Sequence, residues 1–223
     1  MKITKIKRIA STSRFHVYTD EKYCGIFLDE ILARYNLKTN VEYDENEFKK
    51  IKAENDEKVS FDLAVGYIEK YRVSEKGIKD YLKKKSFEEK TIQNTLKKLE
   101  DYNLINDEAF AREYFLTLSN SKGKNAIANK LREKGISQEI INSLTEEINE
   151  EDETEKAVVL AEKFVKNREN TPKNRQKCLA HLVYKGYDFS VAQQATKNAF
   201  SNKGENNESW DWFSRNKTNQ KRR

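Results

Sequence analysis

A short pattern that occurs three times in this 223-residue chain limits its fold more than any other feature of the sequence. In each copy a leucine is followed three positions later by a lysine, then by a small residue, and then by an aromatic or aliphatic residue. The copies are Leu82-x-x-Lys85-Ser86-Phe87, Leu131-x-x-Lys134-Gly135-Ile136 and Leu182-x-x-Lys185-Gly186-Tyr187. Their leucines stand 49 and 51 residues apart. A nearly constant period of this length is typical of tandem structural repeats.

The pattern predicts a helix that ends at each lysine. A glycine placed just after a helix can adopt the left-handed conformation, and the next apolar residue then packs back onto the helix. One helical turn before each leucine, on the same face, lies Ile78, Ile127 or Cys178. Ser86 occupies the glycine position in the first copy, so we expect backbone strain or a different helix end there.

Each repeat is predicted to contain three helices. In the first repeat, a helix beginning at Ser60 carries apolar residues at helical spacing, Ser74 can cap the second helix, and Ser86 with Glu89 has the spacing of a capping box for the third. Asn106 or Asp107 is then expected to cap the first helix of the second repeat.

The residues before the repeats predict a small α+β head. Apolar Ile3, Ile6 and Ile9 and the β-branched and aromatic segments 15–18 and 23–27, on either side of a turn at 19–21, indicate an antiparallel sheet. A short helix is expected over 28–35, and a charged helix or linker over 44–57.

The predicted fold is therefore mainly α, with three tandem three-helix, helix-turn-helix-like repeats in an elongated array behind the head. Elongation is expected because such repeats contact only their sequence neighbours. The predicted boundaries are 1–58 for the head, 59–106, 107–152 and 153–201 for the three repeats, and 202–223 for a mobile basic and aromatic tail.

Composition agrees with a helical protein that acts in a reducing compartment. One proline and seven glycines are few for a β-sandwich, and 43 basic against 37 acidic residues give a net charge of +6, which permits nucleic-acid binding without requiring it. Cys24 and Cys178 have no metal-site or disulfide spacing. The chain has no signal-like or membrane-spanning apolar run, so we expect a cytoplasmic monomer without membrane association.

No arrangement of residues predicts catalysis, a cofactor or a metal. His16 and His181 lie in different predicted elements with no nucleophile or carboxylate pair near them. The segment 121–124, Ser-Lys-Gly-Lys, has a superficial likeness to a phosphate-binding loop, but it lacks the earlier glycine and the following Ser or Thr. We interpret it as the start of a helix.

Basic residues recur on and around the second helix of every repeat. A single exposed lysine is ordinarily a solvated surface residue, so only the repetition indicates binding to successive phosphates. With Tyr184, which is expected to be exposed beside Lys185, the predicted contact residues are Lys76, Lys79, Lys83, Lys84, Lys85, Lys122, Lys124, Lys130, Arg132, Lys134, Lys173, Arg175, Lys177 and Lys185.

Other charged and aromatic residues are predicted to lie away from nucleic acid. The acidic run over 146–155 would repel phosphates. Most aromatic residues of the repeats, among them Tyr67, Tyr71 and Tyr81, have the helical spacing of core residues. Trp210, Trp212 and Phe213 have no such spacing. These residues could dock onto a partner or fold back onto the third repeat, and the sequence does not favour either alternative.

Several of these segments resemble the RecX family of bacterial regulators of the RecA recombinase. The likeness spans residues 60–200, and its most specific part is 104–111. It rests on Ser74-Glu75-Lys76, Tyr81-Leu82-Lys83-Lys84-Lys85, Leu99, Leu104-Ile105-Asn106-Asp107-Glu108-Ala109-Phe110-Ala111 and Lys122-Gly123. The head looks like an extension that some family members carry, whereas the tail and Ser86 depart from the family pattern.

The resemblance implies tandem three-helix repeats in a curved molecule that binds along the groove of a RecA filament on single-stranded DNA. It also implies that the protein modulates ATP hydrolysis and strand exchange, mainly negatively, in DNA repair and the SOS response, without chemistry of its own. Duplex DNA would be bound weakly at most. Two alternatives remain open from the residues: a helix-turn-helix-like regulator of duplex DNA, and a helical scaffold that binds only protein.

Overall fold

A computed structural model describes residues 1–10 and 12–202 of the chain. The polypeptide divides into two compact units, with the boundary between Phe110 and Ala111. The tail residues Trp210, Trp212 and Phe213 lie outside the described residues.

The head contains the predicted antiparallel sheet. Its strands are β1 (Ile3–Arg8), β2 (Arg14–Thr19) and β3 (Lys22–Leu28), in the order β1-β2-β3. Asp20 and Glu21 link β2 to β3 with φ values of 46° and 65°, as a tight two-residue hairpin turn requires. Helix α1 (Asp29–Arg34) follows directly, so the predicted short helix is confirmed.

Helix α2 (Glu45–Ile68) is the main difference from the sequence prediction. Instead of a charged segment followed by a helix that begins at Ser60, one helix of 24 residues begins at Glu45. Its N-cap is Asp44, whose carboxylate accepts the N–H groups of Asn46 and Glu47. Position 58/59, the predicted end of the head, therefore lies inside a continuous helix. The N-terminal half of α2 contributes Phe48 to the core of the head.

Polar residues that are buried along α2 explain why its pattern is hard to recognise. The Asn55 side chain accepts the N–H of Leu28 at 3.0 Å and donates to the Ile26 carbonyl at 2.7 Å. One and a half turns later, the Ser60 hydroxyl lies 2.7 Å from that of Thr95. Because these buried groups are polar, the helix shows little amphipathic periodicity although one face is packed throughout.

The first repeat is completed by α3 (Glu75–Lys84) and α4 (Glu89–Asp101). Ser74 caps α3 as predicted. The predicted capping box of Ser86 and Glu89 is wrong, because Ser86 belongs to the end of α3 and the N-cap position of α4 is Glu88, which makes no side-chain capping bond. The core of the repeat is formed by Ala64, Ile78, Leu82, Ile92, Leu96 and Leu99.

Six further helices form the second and third repeats. They are α5 (Asp107–Ser119), α6 (Lys124–Glu133), α7 (Gln138–Glu146), α8 (Glu150–Val165), α9 (Pro172–Tyr184) and α10 (189–202). Asn106 caps α5 through its side chain, as predicted, and Gly123 precedes α6, so the segment 121–124 is a helix start. Three-helix repeats behind a small sheet are thus confirmed.

Candidate nucleic-acid interface

The three repeated turns have the same hydrogen-bonding pattern. Lys85, Lys134 and Lys185 are the C-cap residues of α3, α6 and α9. Two residues after each lysine, the backbone N–H bonds to the carbonyl of the repeated leucine at 3.3, 3.1 and 3.2 Å, respectively. The residue immediately after the lysine donates to the carbonyl three residues earlier at 2.9 Å in every repeat. This pair of bonds is a Schellman motif.

The residue after each lysine adopts the left-handed conformation, as predicted. Its φ is 85° at Gly135, 92° at Gly186 and 66° at Ser86. For a residue with a Cβ atom, this conformation costs about 1 kcal/mol. Ser86 therefore forms the same turn as the glycines, with strain, rather than a different helix end.

The turn gives the three lysines equivalent positions. Each lysine lies at a helix C-terminus, where the carbonyl dipoles favour a positive charge. Lys85 and Lys134 are exposed and Lys185 is half-buried. Their spacing in the sequence thus becomes a repeated structural feature.

An aromatic residue lies beside the turn lysine in the first two repeats. The Lys85 ammonium is 5.6 Å from the centroid of the Tyr81 ring, and the Lys134 ammonium is 5.8 Å from that of Tyr114. Both distances are within the range of cation–π contacts. Sequence reasoning missed this pairing, because the two rings come from different places in the repeat, Tyr81 from the second helix α3 and Tyr114 from the first helix α5.

In the third repeat the equivalent place is occupied by a ring pair. Phe164 of α8 stacks on His181 of α9 with centroids 5.0 Å apart, and the Arg168 guanidinium lies 4.0 Å from the Phe164 centroid. Burial lowers the pKa of His181, and the positive charges of Lys185 and Arg168 lower it further. Both effects favour the neutral form of this imidazole.

Several predicted contact lysines form ion pairs with nearby carboxylates. Lys79 and Lys83 lie 2.6 and 3.1 Å from the Glu89 carboxylate, and Lys130 lies 2.6 Å from that of Glu133. Hydrogen bonds from Lys79, Gln93 and Lys83 lower the pKa of Glu89 to about 2. These pairs are largely exposed, so a phosphate can compete for the lysines at a small cost.

Lys124 has a clear structural role. Its ammonium lies 2.6 Å from the Asp188 carboxylate, and its backbone N–H donates to Glu153 at 2.9 Å. Asp188 is the largest cause of the raised pKa of Lys124. This lysine joins the second repeat to the third, a role that its position in a basic cluster did not indicate.

Two glycines bring the second and third repeats into backbone contact. The Gly123 N–H donates to the Lys185 carbonyl at 3.0 Å, and the Asn125 N–H donates to the Gly186 carbonyl at 3.1 Å. A Cβ atom on Gly123 would lie 2.4 Å from the Tyr187 nitrogen, and one on Gly186 would lie 2.3 Å from the Ala126 Cβ. The start of α6 is therefore packed against the end of α9, which fixes the turn of Lys185 relative to the second repeat.

The remaining predicted residues are mostly exposed. Arg132 donates to Gln138 and Asn129, Arg175 donates to Asn170, and Lys122 is half-buried. Tyr184 is 85% exposed, as its position beside Lys185 predicted. The other exposed basic residues of the predicted set are Lys76, Lys84, Lys173 and Lys177.

The acidic residues between the repeats also have structural roles. Asp107 accepts the N–H of Glu75 at the start of α3, just as Glu153 accepts that of Lys124 at the start of α6. Burial raises the pKa of Asp107, and the bond from Glu75 lowers it. The second helices of the first two repeats are thus capped by a carboxylate from the first helix of the next repeat, whereas α9 is capped by Thr171. The acidic run over 146–155 contains Glu153, which caps α6, and the acidic first turn of α8.

Within residues 1–10 and 12–202 no cluster of His, Cys, Asp and Glu could hold a metal ion. No helix in the same part of the chain is long and apolar enough to cross a membrane.

The repeated helices and their lysine-bearing turns define a tandem three-helix repeat protein. Two of its segments match known family domains: residues 106–143 match "RecX, second three-helix domain" and residues 150–196 match "RecX, third three-helix domain".

Whole-chain comparisons agree with these matches. The regulatory protein RecX of Listeria monocytogenes serotype 4a is 35% identical over 206 residues, covering 90% of this chain and 77% of the relative. The regulatory protein RecX of Bacillus subtilis is 31% identical over 198 residues, covering 86% of this chain and 75% of the relative. A crystal structure of regulatory protein RecX is similar with a TM-score of 0.63 at 28% identity, covering 88% of this chain and 98% of the other. The chain therefore belongs to the RecX family of regulatory proteins.

Proposed function

We propose that this protein regulates a RecA recombinase, mainly by lowering its activity, and that it does so by binding along the RecA filament on single-stranded DNA. It would thereby alter ATP hydrolysis and strand exchange in DNA repair and the SOS response. The observation that carries this proposal is the similarity to regulatory proteins RecX over 90% of the chain.

The repeated turns supply a physical basis for the contact. Lys85, Lys134 and Lys185 have equivalent positions at the ends of three helices, and exposed basic residues surround them. Cations that recur at structurally equivalent places suit a partner with recurring negative charges, such as a DNA backbone or a filament of identical subunits. The protein would act through binding, as a monomer, and not through catalysis.

The proposal is tested by measuring ATP hydrolysis by RecA on single-stranded DNA while this protein is titrated in. We expect hydrolysis to fall at protein concentrations well below that of the DNA phosphates, because each bound molecule would affect a stretch of filament. A second titration with a chain that ends at residue 201 assigns the role of the tail. Hydrolysis that stays constant up to stoichiometric amounts would exclude this regulation.

The kind of DNA that the protein binds distinguishes the proposed function from that of a duplex-DNA regulator. We expect binding to single strands of any sequence, with an affinity that falls steeply as salt is raised. Preference for one duplex sequence would instead favour a helix-turn-helix regulator, and no DNA binding at low salt would favour a protein scaffold.

A further inference from the structure

Three tyrosines form a continuous ring cluster where α2 ends beside α3. The Tyr67 and Tyr81 rings are stacked, with centroids 4.2 Å apart and planes only 4° from parallel. Tyr71 follows one helical turn after Tyr67, and its ring centroid lies 5.1 Å from that of Tyr67. The cluster therefore extends from the half-buried Tyr81 outwards to Tyr71.

The outer tyrosine is not explained by packing of the repeat. Tyr71 is 57% exposed, although the sequence pattern predicted it to be a core residue. The buried core of the first repeat is formed by aliphatic residues, and the half-buried Tyr81 packs against it. The Tyr71 ring is tilted by 50° to the Tyr67 ring, and its exposure leaves a flat apolar surface that is available to a partner.

Basic residues lie on one side of this cluster. The Lys85 ammonium lies 5.6 Å from the Tyr81 centroid, and Lys84 precedes it at the exposed end of α3. Burial raises the pKa of Tyr81 and the nearby Arg14 of β2 lowers it, although Arg14 also pairs with Asp62 at 3.8 Å. Aromatic rings and cations thus occur together at one place of the first repeat.

Another exposed tyrosine of the same unit has the opposite surroundings. Tyr102 is 67% exposed and contacts Phe61 edge to face, with ring centroids 5.9 Å apart. Both rings line a cavity of about 660 Å³, whose charged lining contains more acidic than basic groups. Its carboxylates are those of Asp29, Glu30, Glu54, Glu57 and Asp62. Exposure alone therefore does not distinguish the two tyrosines, whereas the charge around them does.

We propose that Tyr71, together with the Tyr67–Tyr81 stack, is a stacking site for an unpaired base of single-stranded DNA, and that Lys84 and Lys85 contact the adjacent phosphates. Every base has a π-face, so such a site tolerates any sequence. Bases in a duplex are already stacked on each other, so the site distinguishes single strands from duplexes. The proposal rests on the DNA contact of the proposed function and assigns it to particular residues.

The test is fluorescence anisotropy of a labelled thymidine oligonucleotide with the full-length protein. We expect Tyr71→Ala to weaken binding about five-fold or more, since a stacked base contributes on the order of 1 to 3 kcal/mol. Tyr71→Phe keeps the ring and should bind like the wild type, whereas Tyr71→Leu keeps apolar bulk without a ring and should bind like Tyr71→Ala. Tyr102→Ala is the matched control and should leave binding unchanged.

An abasic oligonucleotide of equal length completes the experiment, because it retains the phosphates but has no bases. We expect Tyr71→Ala and the wild type to bind it equally. The proposal is wrong if Tyr71→Ala and Tyr102→Ala have the same effect, if Tyr71→Leu binds like the wild type, or if the wild type binds no single-stranded DNA at low salt. ATP hydrolysis by RecA is measured separately. If the protein binds no DNA but still suppresses this hydrolysis, the stacking site is wrong and the regulatory function is retained.

Discussion

The turn after Lys85 and the turn after Lys185 have the same backbone hydrogen bonds but different surroundings. Ser86, just after the end of α3, is exposed. Gly186 is buried against Ala126 of the second repeat, which leaves no space for a side chain. The same local motif therefore tolerates serine where it is exposed to solvent and requires glycine where it forms a junction between repeats.

A glycine can be favoured after the turn lysine for two different reasons. The first is conformational, because φ values of 66° and 92° lie in the left-handed region for both turns. The second is steric and applies only to the turn of the third repeat, where two backbones are hydrogen-bonded to each other. A departure from the repeat pattern at residue 86 thus carries a small energetic cost and no change of architecture.

The largest effect is expected for Gly186→Ser. The new Cβ atom would lie 2.3 Å from the Ala126 Cβ and nitrogen, and the left-handed conformation adds strain. We expect the free energy of unfolding to fall by about 3 kcal/mol or more. Urea denaturation followed by circular dichroism measures this change. A loss of only about 1 kcal/mol would equal the cost of the left-handed conformation alone. It would show that the junction adapts to a side chain and that Gly186 is not required for steric reasons.

A smaller effect of opposite sign is expected for Ser86→Gly. Removing the Cβ atom relieves about 1 kcal/mol of left-handed strain, part of which is offset by the greater freedom of glycine in the unfolded chain. We expect a gain of roughly 0.5 kcal/mol in the same denaturation experiment. Gly135→Ser is the mirror-image control, since Gly135 is exposed with φ of 85°, and it should cost about 1 kcal/mol. Destabilisation by Ser86→Gly would mean that the serine hydroxyl, not the backbone, stabilises this turn.

Much of the fold could be predicted from the sequence, because the repeats depend on local signals. The leucine, lysine and glycine spacing identified three helix ends, and Ser74 and Asn106 marked helix starts through their own side chains. The sheet of the head followed from two segments rich in β-branched and aromatic residues on either side of a turn. Each of these features is determined by interactions between residues close in the chain.

The errors arose where distant residues determine the structure. Helix α2 was divided at Ser60 because the segment 44–57 is highly charged and nothing in it indicates that Asn55 and Ser60 are buried against Leu28, Ile26 and Thr95. The junction at Gly123 and Gly186 was missed for the same reason, since two glycines more than 60 residues apart carry no sign of mutual contact.

The candidate site was only partly visible in the sequence. Repetition indicated the turn lysines, but spacing could not show which lysines are paired, as Lys79 and Lys83 are with Glu89. Helical periodicity assigned Tyr71 to the core, although α2 ends before it and its ring projects outwards. An exposed aromatic residue near a helix end has the same spacing as a buried one, so the two cannot be distinguished without the structure.

The most direct test of the account is RecA-dependent ATP hydrolysis with the triple variant Lys85→Ala, Lys134→Ala, Lys185→Ala. Its control is Lys49→Ala, Lys50→Ala, Lys163→Ala, which removes the same charge from exposed positions outside the turns. Because three equivalent cations are lost, we expect the turn variant to require about tenfold more protein for half-maximal suppression, and the control to match the wild type. Equal potency of the turn variant and the wild type would contradict the claim that the repeated turn lysines carry the contact.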